Sequence, residues 1–135
     1  MDYNWSNMEI KVFVIDPRAE KYKAIILKKA KELAKILRLR GYLEVYLVGN
    51  RQMEKNVLSY CAKGDFPRPD LKKKFLGEIH LNPFFIKKSK WDLIYMLTHG
   101  VLHIAGYDHK KKNDRMKMEK KEAEVFKRVR LSQSE

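Results

Sequence analysis

The chain has a single cysteine, Cys61, so no intrachain disulfide can form and packing alone must hold the fold. One free thiol in 135 residues also points to a reducing compartment, and the expected location is the cytoplasm. Cys61 itself reads as a small packed residue. No run of about eighteen apolar residues occurs, so no membrane-spanning helix is expected. The first residues, Met1-Asp2-Tyr3-Asn4-Trp5-Ser6-Asn7, lack the basic start and apolar core of a signal peptide. Neither an internal repeat nor a low-complexity linker interrupts the chain. Glutamine is nearly absent, at Gln52 and Gln133 only, beside abundant lysine, which leans toward a thermophile composition. Acidic residues are also outnumbered: 17 Asp and Glu face 30 Lys and Arg, for a net charge of +13. Such an excess favours a polyanionic partner, because phosphates supply the matching charge. A solvated basic surface, or a basic membrane-surface protein, would fit the charge alone.

What is present is a globular composition, 44% hydrophobic and 11% aromatic, in a length that suits one domain with one core. Residues 1–135 read as that domain, with 1–7 and 131–135 as loose tails. From Met8 to Ile15, the residues Ile10, Val12 and Val14 alternate with Glu9, Lys11 and Phe13, the period of a strand with one buried face. Asp16-Pro17 supplies a cap and a first-turn proline for a long helix running to about Leu39. Tyr22, Ile25, Ile26, Ala30, Leu33 and Leu37 form its apolar stripe, and Arg40-Gly41 ends it. Leu43 to Val48 is a second strand, and the strand–helix–strand order predicts a right-handed parallel crossover. Val57 to Tyr60 and Phe75 to Leu81 are the remaining strands, separated by an exposed loop over 61–74. Phe84 to Lys88 reads as a short helical turn. Ser89 caps a helix over Lys90 to Ala105, whose Trp91, Ile94, Tyr95, Leu97, Val101 and Leu102 leave little polar surface and make it the central buried helix. A last helix, Asp114 to Arg130, is expected to bury Met118, Ala123, Val125, Phe126 and Val129. The fold class is therefore α/β (α+β). A mixed sheet of about four strands packs against a central helix, a long N-terminal crossover helix and a C-terminal helix.

That central helix carries the chemistry. Leu97-Thr98-His99-Gly100-Val101-Leu102-His103-Ile104-Ala105-Gly106-Tyr107-Asp108-His109 holds three of the four histidines, spaced H-x3-H-x5-H. Four residues apart, His99 and His103 project from one helix face and can share a metal ion. Gly106 tolerates positive φ and commonly ends a helix, so a reversal there could swing His109 back as a third donor. Three imidazoles with an open fourth position describe a catalytic zinc site rather than a closed structural one. The spacing equals that of the metzincin peptidases, H-E-x-x-H-x-x-G-x-x-H, except that Gly100 holds the position of the glutamate base. This favours a metal-activated water, with its pKa brought to about 7, but not peptide hydrolysis by the usual route. Helix and turn histidines without a metal are the plain alternative.

His99-Gly100-x-Leu102-His103-x-x-Gly106-Tyr107-Asp108-His109 resembles the signature of the YbeY-type rRNA maturation endoribonucleases, H-G-x-L-H-L-x-G-Y-D-H, with Ile104 in place of a leucine. Upstream, Asn56-Val57-Leu58-Ser59-Tyr60 is similar to that family's T-D-V-L-S-F strand, and Leu76-Gly77-Glu78-Ile79 to its L-G-D-I strand. The resemblance implies a zinc metallohydrolase, with one Zn2+ per chain on His99, His103 and His109. It implies single-strand-specific endoribonuclease activity in rRNA processing, at the 16S rRNA 3′ end and in ribosome quality control. The implied partners are rRNA and the ribosome or its small subunit, with no membrane. It also implies a catalytic arginine some eight residues before the valine of T-D-V-L-S-F. Arg51, six residues before Val57, is the only arginine in that loop and the candidate. Glu54-Lys55-Asn56 replaces the family's P-T-D, and Glu78 its aspartate.

Substrate contacts are assigned to Ser59, Glu78, Lys110, Lys111 and Lys112, each with a plain structural role beside it. Asp108 either hydrogen-bonds behind a ligand or caps the turn. His80 reads as a strand histidine, and Trp91 and Tyr95 as core. The nucleophile on the RNA phosphodiester is either a metal-activated water or the neighbouring ribose 2′-hydroxyl; without the peptidase glutamate, its proton goes to substrate phosphate or to Glu78, or zinc hydroxide attacks unaided. A non-catalytic, zinc-containing rRNA or ribosome assembly protein is the second reading, and a zinc peptidase the third.

Overall fold

Strand alternation builds a four-stranded mixed sheet in the order β1-β2-β4-β3. A computed structural model describes residues 8–62 and 73–131; the expected tail 1–7, all of the expected tail 131–135 but Leu131, which ends the last helix, and most of the 61–74 loop lie outside the described residues. β1 (Met8–Val14), β2 (Gly41–Leu47) and β4 (Phe75–Leu81) run parallel, and β3 (Val57–Cys61) joins β4 antiparallel. One face of this sheet is the core side. Ile10, Val12, Leu43, Val45, Leu47, Ile79 and Leu81 are buried there in one cluster with Ile26, Ala30, Leu33, Leu97 and Val101 of the helices. Each Val, Leu or Ile side chain among them contributes roughly 1.5–3 kcal/mol on leaving water. On the other face the rings of Phe13, Tyr46 and His80 stack at 5.1 and 4.8 Å, with Tyr60 edge-on to His80 at 5.5 Å. These rings spend their faces on one another, so the row braces the sheet.

The crossover from β1 to β2 differs from the single helix expected over 17–39. Asp16 does cap it, accepting from Arg18 N at 2.9 Å. Its carboxylate also takes the Arg18 guanidinium at 2.7 and 3.1 Å. The chain first winds as a tight 3₁₀ segment, Pro17–Tyr22, and only then as α1 (Lys23–Ile36). The helix stops early because Arg38 turns to a φ of 55°, not at Arg40-Gly41. Gly41 opens β2 instead, at φ 135°, where a Cβ would meet Lys74 O at 2.4 Å.

After β4 come α2 (Pro83–Lys88), α3 (Leu93–Ile104) and α4 (Lys112–Leu131). α3 begins three residues later than its expected start at Lys90. Lys90 takes a φ of 63°, and Asp92 rather than Ser89 is the cap, accepting from Tyr95 N at 2.9 Å. Trp91 is thereby left outside the helix, 53% exposed, with its ring stacked on Tyr95. α3 is otherwise the buried central helix, in contact with β3, β4, α1 and α4. α4 buries Met118, Glu122, Val125 and Val129, whereas Ala123, expected inside, is exposed. No helix among the described residues is long and apolar enough to cross a membrane.

Candidate metal centre

The last turn of α3 and the reversal after it assemble three imidazoles. His99 and His103 lie one turn apart with ring centroids at 4.7 Å and Nε2 atoms 3.2 Å from each other. The helix then closes with paired bonds, Tyr107 N to Leu102 O and Gly106 N to His103 O, both 3.0 Å. Gly106 sits at φ 105° with open space where a Cβ would go, so conformation rather than room calls for glycine. This reversal brings the His109 ring to 4.9 Å from that of His103 and 5.8 Å from that of His99. One ring nitrogen from each of the three lies within 4.8 Å of the others. A tetrahedral zinc with bonds of about 2.0–2.1 Å sets its donors about 3.3–3.4 Å apart, and the His99–His103 pair at 3.2 Å fits. His99 and His103 are half-buried and His109 is exposed, so the cluster is open on one side.

The electrostatics suit ligation, which needs neutral imidazoles. Burial, and then the neighbouring His99 and His109, hold the pKa of His103 below the usual histidine range. Behind His99 stands a residue the sequence reading passed over. Glu122 of α4 places Oε2 against His99 Nδ1, and the Tyr95 hydroxyl donates to Oε1 at 2.7 Å. Burial pushes the Glu122 carboxyl up, but the His99 and Tyr95 bonds outweigh it and leave the pKa lowered. Burial and the bond to Glu122 raise the Tyr95 hydroxyl to about 12. The signal was available: Glu122 falls in register with Met118, Val125 and Val129, a carboxylate on an apolar stripe.

Other candidates lie around this centre in different ways. Gly100 faces the sheet, where a Cβ would meet Ile79 Cγ2 at 3.0 Å and Ser59 Oγ and Val57 Cγ2 at 3.2 Å. The glutamate of a peptidase could not stand there. Ser59 Oγ donates to Gly100 O at 3.1 Å, and Cys61 Sγ to His103 O at 3.0 Å, so both tie β3 to α3. Glu78 alternates with core-facing Ile79 and bonds His80 at 3.0 Å on the far face of the sheet. Asp108 Oδ1 accepts from Lys110 N at 3.1 Å, a turn-capping contact. Lys110, Lys111 and Lys112 are exposed directly after His109. Arg51 lies in a loop pinned by Asn82, whose Nδ2 donates to Asn50 Oδ1 at 2.8 Å and Met53 O at 2.6 Å. It lines a cavity of about 450 Å³ with Asp16, Arg18 and Gln52, and none of the three histidines lines it. The bonds from Arg18 hold the Asp16 carboxyl down to about 2, with the Arg51 charge adding to them.

A mixed four-stranded α/β domain with three imidazoles gathered at the end of its central helix defines a metal-site class of protein. Within that class the chain belongs to the YbeY family, whose model, Endoribonuclease YbeY, matches residues 7–130. Endoribonuclease YbeY of Neorickettsia sennetsu is 49% identical over 39 residues, covering 29% of this chain and 27% of the relative. The protein of the same name from Wolbachia sp. subsp. Drosophila simulans is 35% identical over 87 residues, 56% of this chain and 54% of the relative. That of Geobacter sulfurreducens is 34% identical over 82 residues, 53% of each. The chain thus spans between about a quarter and a half of the length of these relatives.

Proposed function

We propose that the protein is a zinc-dependent, single-strand-specific endoribonuclease of rRNA maturation, acting at the 16S rRNA 3′ end and in ribosome quality control. One hydrolase domain over residues 1–135, in the cytoplasm and in contact with the small ribosomal subunit, is part of the same proposal. The observation that carries it is the convergence of His99, His103 and His109, with ring nitrogens within 4.8 Å, in a chain matched over 7–130 to Endoribonuclease YbeY. The net charge of +13 supports an RNA substrate. A zinc ion bound there would polarise a phosphoryl oxygen and activate a water near neutral pH.

The chain's own residues do the rest. Lys110, Lys111 and Lys112 follow the exposed ligand and take phosphates of the approaching strand. Arg51 is assigned the charge of a phosphodiester, from the cavity it shares with Arg18. Gly100 against the sheet and Glu78 on its far face supply no base, so the nucleophile's proton would go to substrate phosphate unless a bound zinc supplied hydroxide without one.

Metal content by mass spectrometry tests this, on wild type and His109→Ala purified without added metal or a metal-binding tag. About one zinc per chain is expected in wild type and none in the variant. Metal-dependent cleavage of single-stranded RNA should then disappear in His103→Ala. Wild type that takes up no zinc even when it is offered would overturn the reading. RNA binding without turnover would leave a non-catalytic assembly protein.

A further inference from the structure

A neutral imidazole carries one N–H and one lone pair, and only the lone pair can bind a metal. His99 directs Nε2 toward His103 and Nδ1 toward Glu122. A carboxylate can only accept. We propose that Glu122 is a positioning residue: with Tyr95 it locks His99 as the Nδ1–H tautomer, so that the Nε2 lone pair faces the cluster. This deepens, and rests on, the metal-site reading above.

Several independent features hold that carboxylate in place. Glu122 is 4% exposed, on the stripe by which α4 packs, between Met118 and Val125. Its two oxygens are divided, Oε1 to the Tyr95 hydroxyl and Oε2 to His99, so neither can rotate away without leaving a half-buried donor unmet. Tyr95 is in turn fixed by the Phe126 ring edge-on at 5.2 Å and the Trp91 ring stacked at 5.9 Å. Tyr95 and His99 are one turn apart on α3, so one carboxylate reaches both. α4 starts at Lys112, soon after His109. The helix that follows the third imidazole therefore carries the group that orients the first. A carboxylate behind a ligating histidine raises the basicity of the ring, and its loss costs about 10- to 100-fold in metal affinity.

The plain alternative is that Glu122 merely pins α4 to α3. Two measurements separate the readings. In metal-free, 15N-labelled wild type, at a pH raised until the imidazoles are neutral, long-range 1H–15N spectra are expected to show His99 protonated on Nδ1. Protonation on Nε2 would overturn the proposal. Zinc affinity by chelator competition should fall about 10- to 100-fold in Glu122→Gln, which keeps an acceptor but loses the charge, and further in Glu122→Leu. Tyr95→Phe should lose less, and the cobalt-loaded absorption spectrum should shift in the same order. Glu122→Gln that binds zinc as tightly as wild type, while its metal-free form unfolds more easily, would mean a pin only. If Glu122→Leu does not fold, the wild-type tautomer and Glu122→Gln decide. If wild type binds no zinc, the functional reading falls, and the tautomer alone still decides on Glu122.

Discussion

His99 and Gly100 are neighbours in the chain but point about 100° apart around α3, and the two directions obey opposite rules. Toward α4, the helix presents Tyr95 and His99, and a buried carboxylate receives both. Toward the sheet it presents Gly100, where Val57, Ser59 and Ile79 leave no room for a longer side chain. A polar group is tolerated on the first side because the opposing helix satisfies it; the second side tolerates only close packing. The missing peptidase glutamate is therefore a packing fact before it is a chemical one. The candidate metal donors sit where a partner helix can orient them, and the residue between them sits where the helix must approach the strands.

The sharpest way to break this contrast is to load the packed side. Gly100→Glu forces a carboxylate against Ile79 and Val57, and roughly 3–5 kcal/mol of stability should be lost, read as the urea midpoint of the metal-free protein. Gly100→Ala adds only a methyl group at 3.0–3.2 Å from its neighbours. The gain in helix propensity, about 1 kcal/mol, offsets that crowding, so this variant should stay within about 1 kcal/mol of wild type. A Gly100→Glu protein as stable as wild type would show that the glutamate is absent for some reason other than space.

What is local was the more legible. Period-two alternation located β1, and the H-x3-H-x5-H spacing with Gly106 located the imidazoles. The partner side depends on which helices meet. Counting apolar residues favoured Ala123 and skipped Glu122, yet the stripe Met118, Val125, Val129 runs through the carboxylate. Caps were ambiguous for a local reason: Ser89 and Asp92 are both good caps three residues apart, and the turn at Lys90 selects the second. The long crossover helix was interrupted by a side chain, Arg18, bonding back to its own cap. Glu78 shares a sequence motif with the site region, but strand alternation sends it to the other face.

A smaller effect uses pH, because the imidazole side of α3 carries titratable groups with shifted pKa values. In the metal-free protein the folded His103 has a lowered pKa, from burial first and its histidine neighbours next. Below the unfolded value of 6.5 the unfolded chain then holds more protons than the fold. Its contribution is complete above that pH and is lost as pH falls through the folded value. Glu122 is also lowered, from 4.5, so its contribution is lost in a second, more acid window. The urea midpoint of metal-free protein should fall through both windows on acidification, with Asp16, whose carboxyl is also held down, adding to the acid one. His103→Ala should remove the upper fall and Glu122→Gln should shrink the lower, while Gly100→Ala keeps both. An upper fall unchanged in His103→Ala would assign that titration elsewhere.

The smallest expected effect lies at the seam between the two sides. Ser59 Oγ reaches across from β3 to the carbonyl of Gly100 at 3.1 Å, a bond to the backbone of α3. Ser59→Ala removes one hydrogen bond and should cost about 1 kcal/mol in thermal or urea unfolding. Its zinc affinity and the Nδ1–H state of His99 should be those of wild type, because the α4 side is untouched. RNA cleavage by Ser59→Ala then decides what the hydroxyl is for. Activity that falls only as far as stability does makes Ser59 a strut for the helix. A loss of activity at full zinc occupancy and near-wild-type stability would place the hydroxyl on the substrate and extend the functional surface from α3 onto β3.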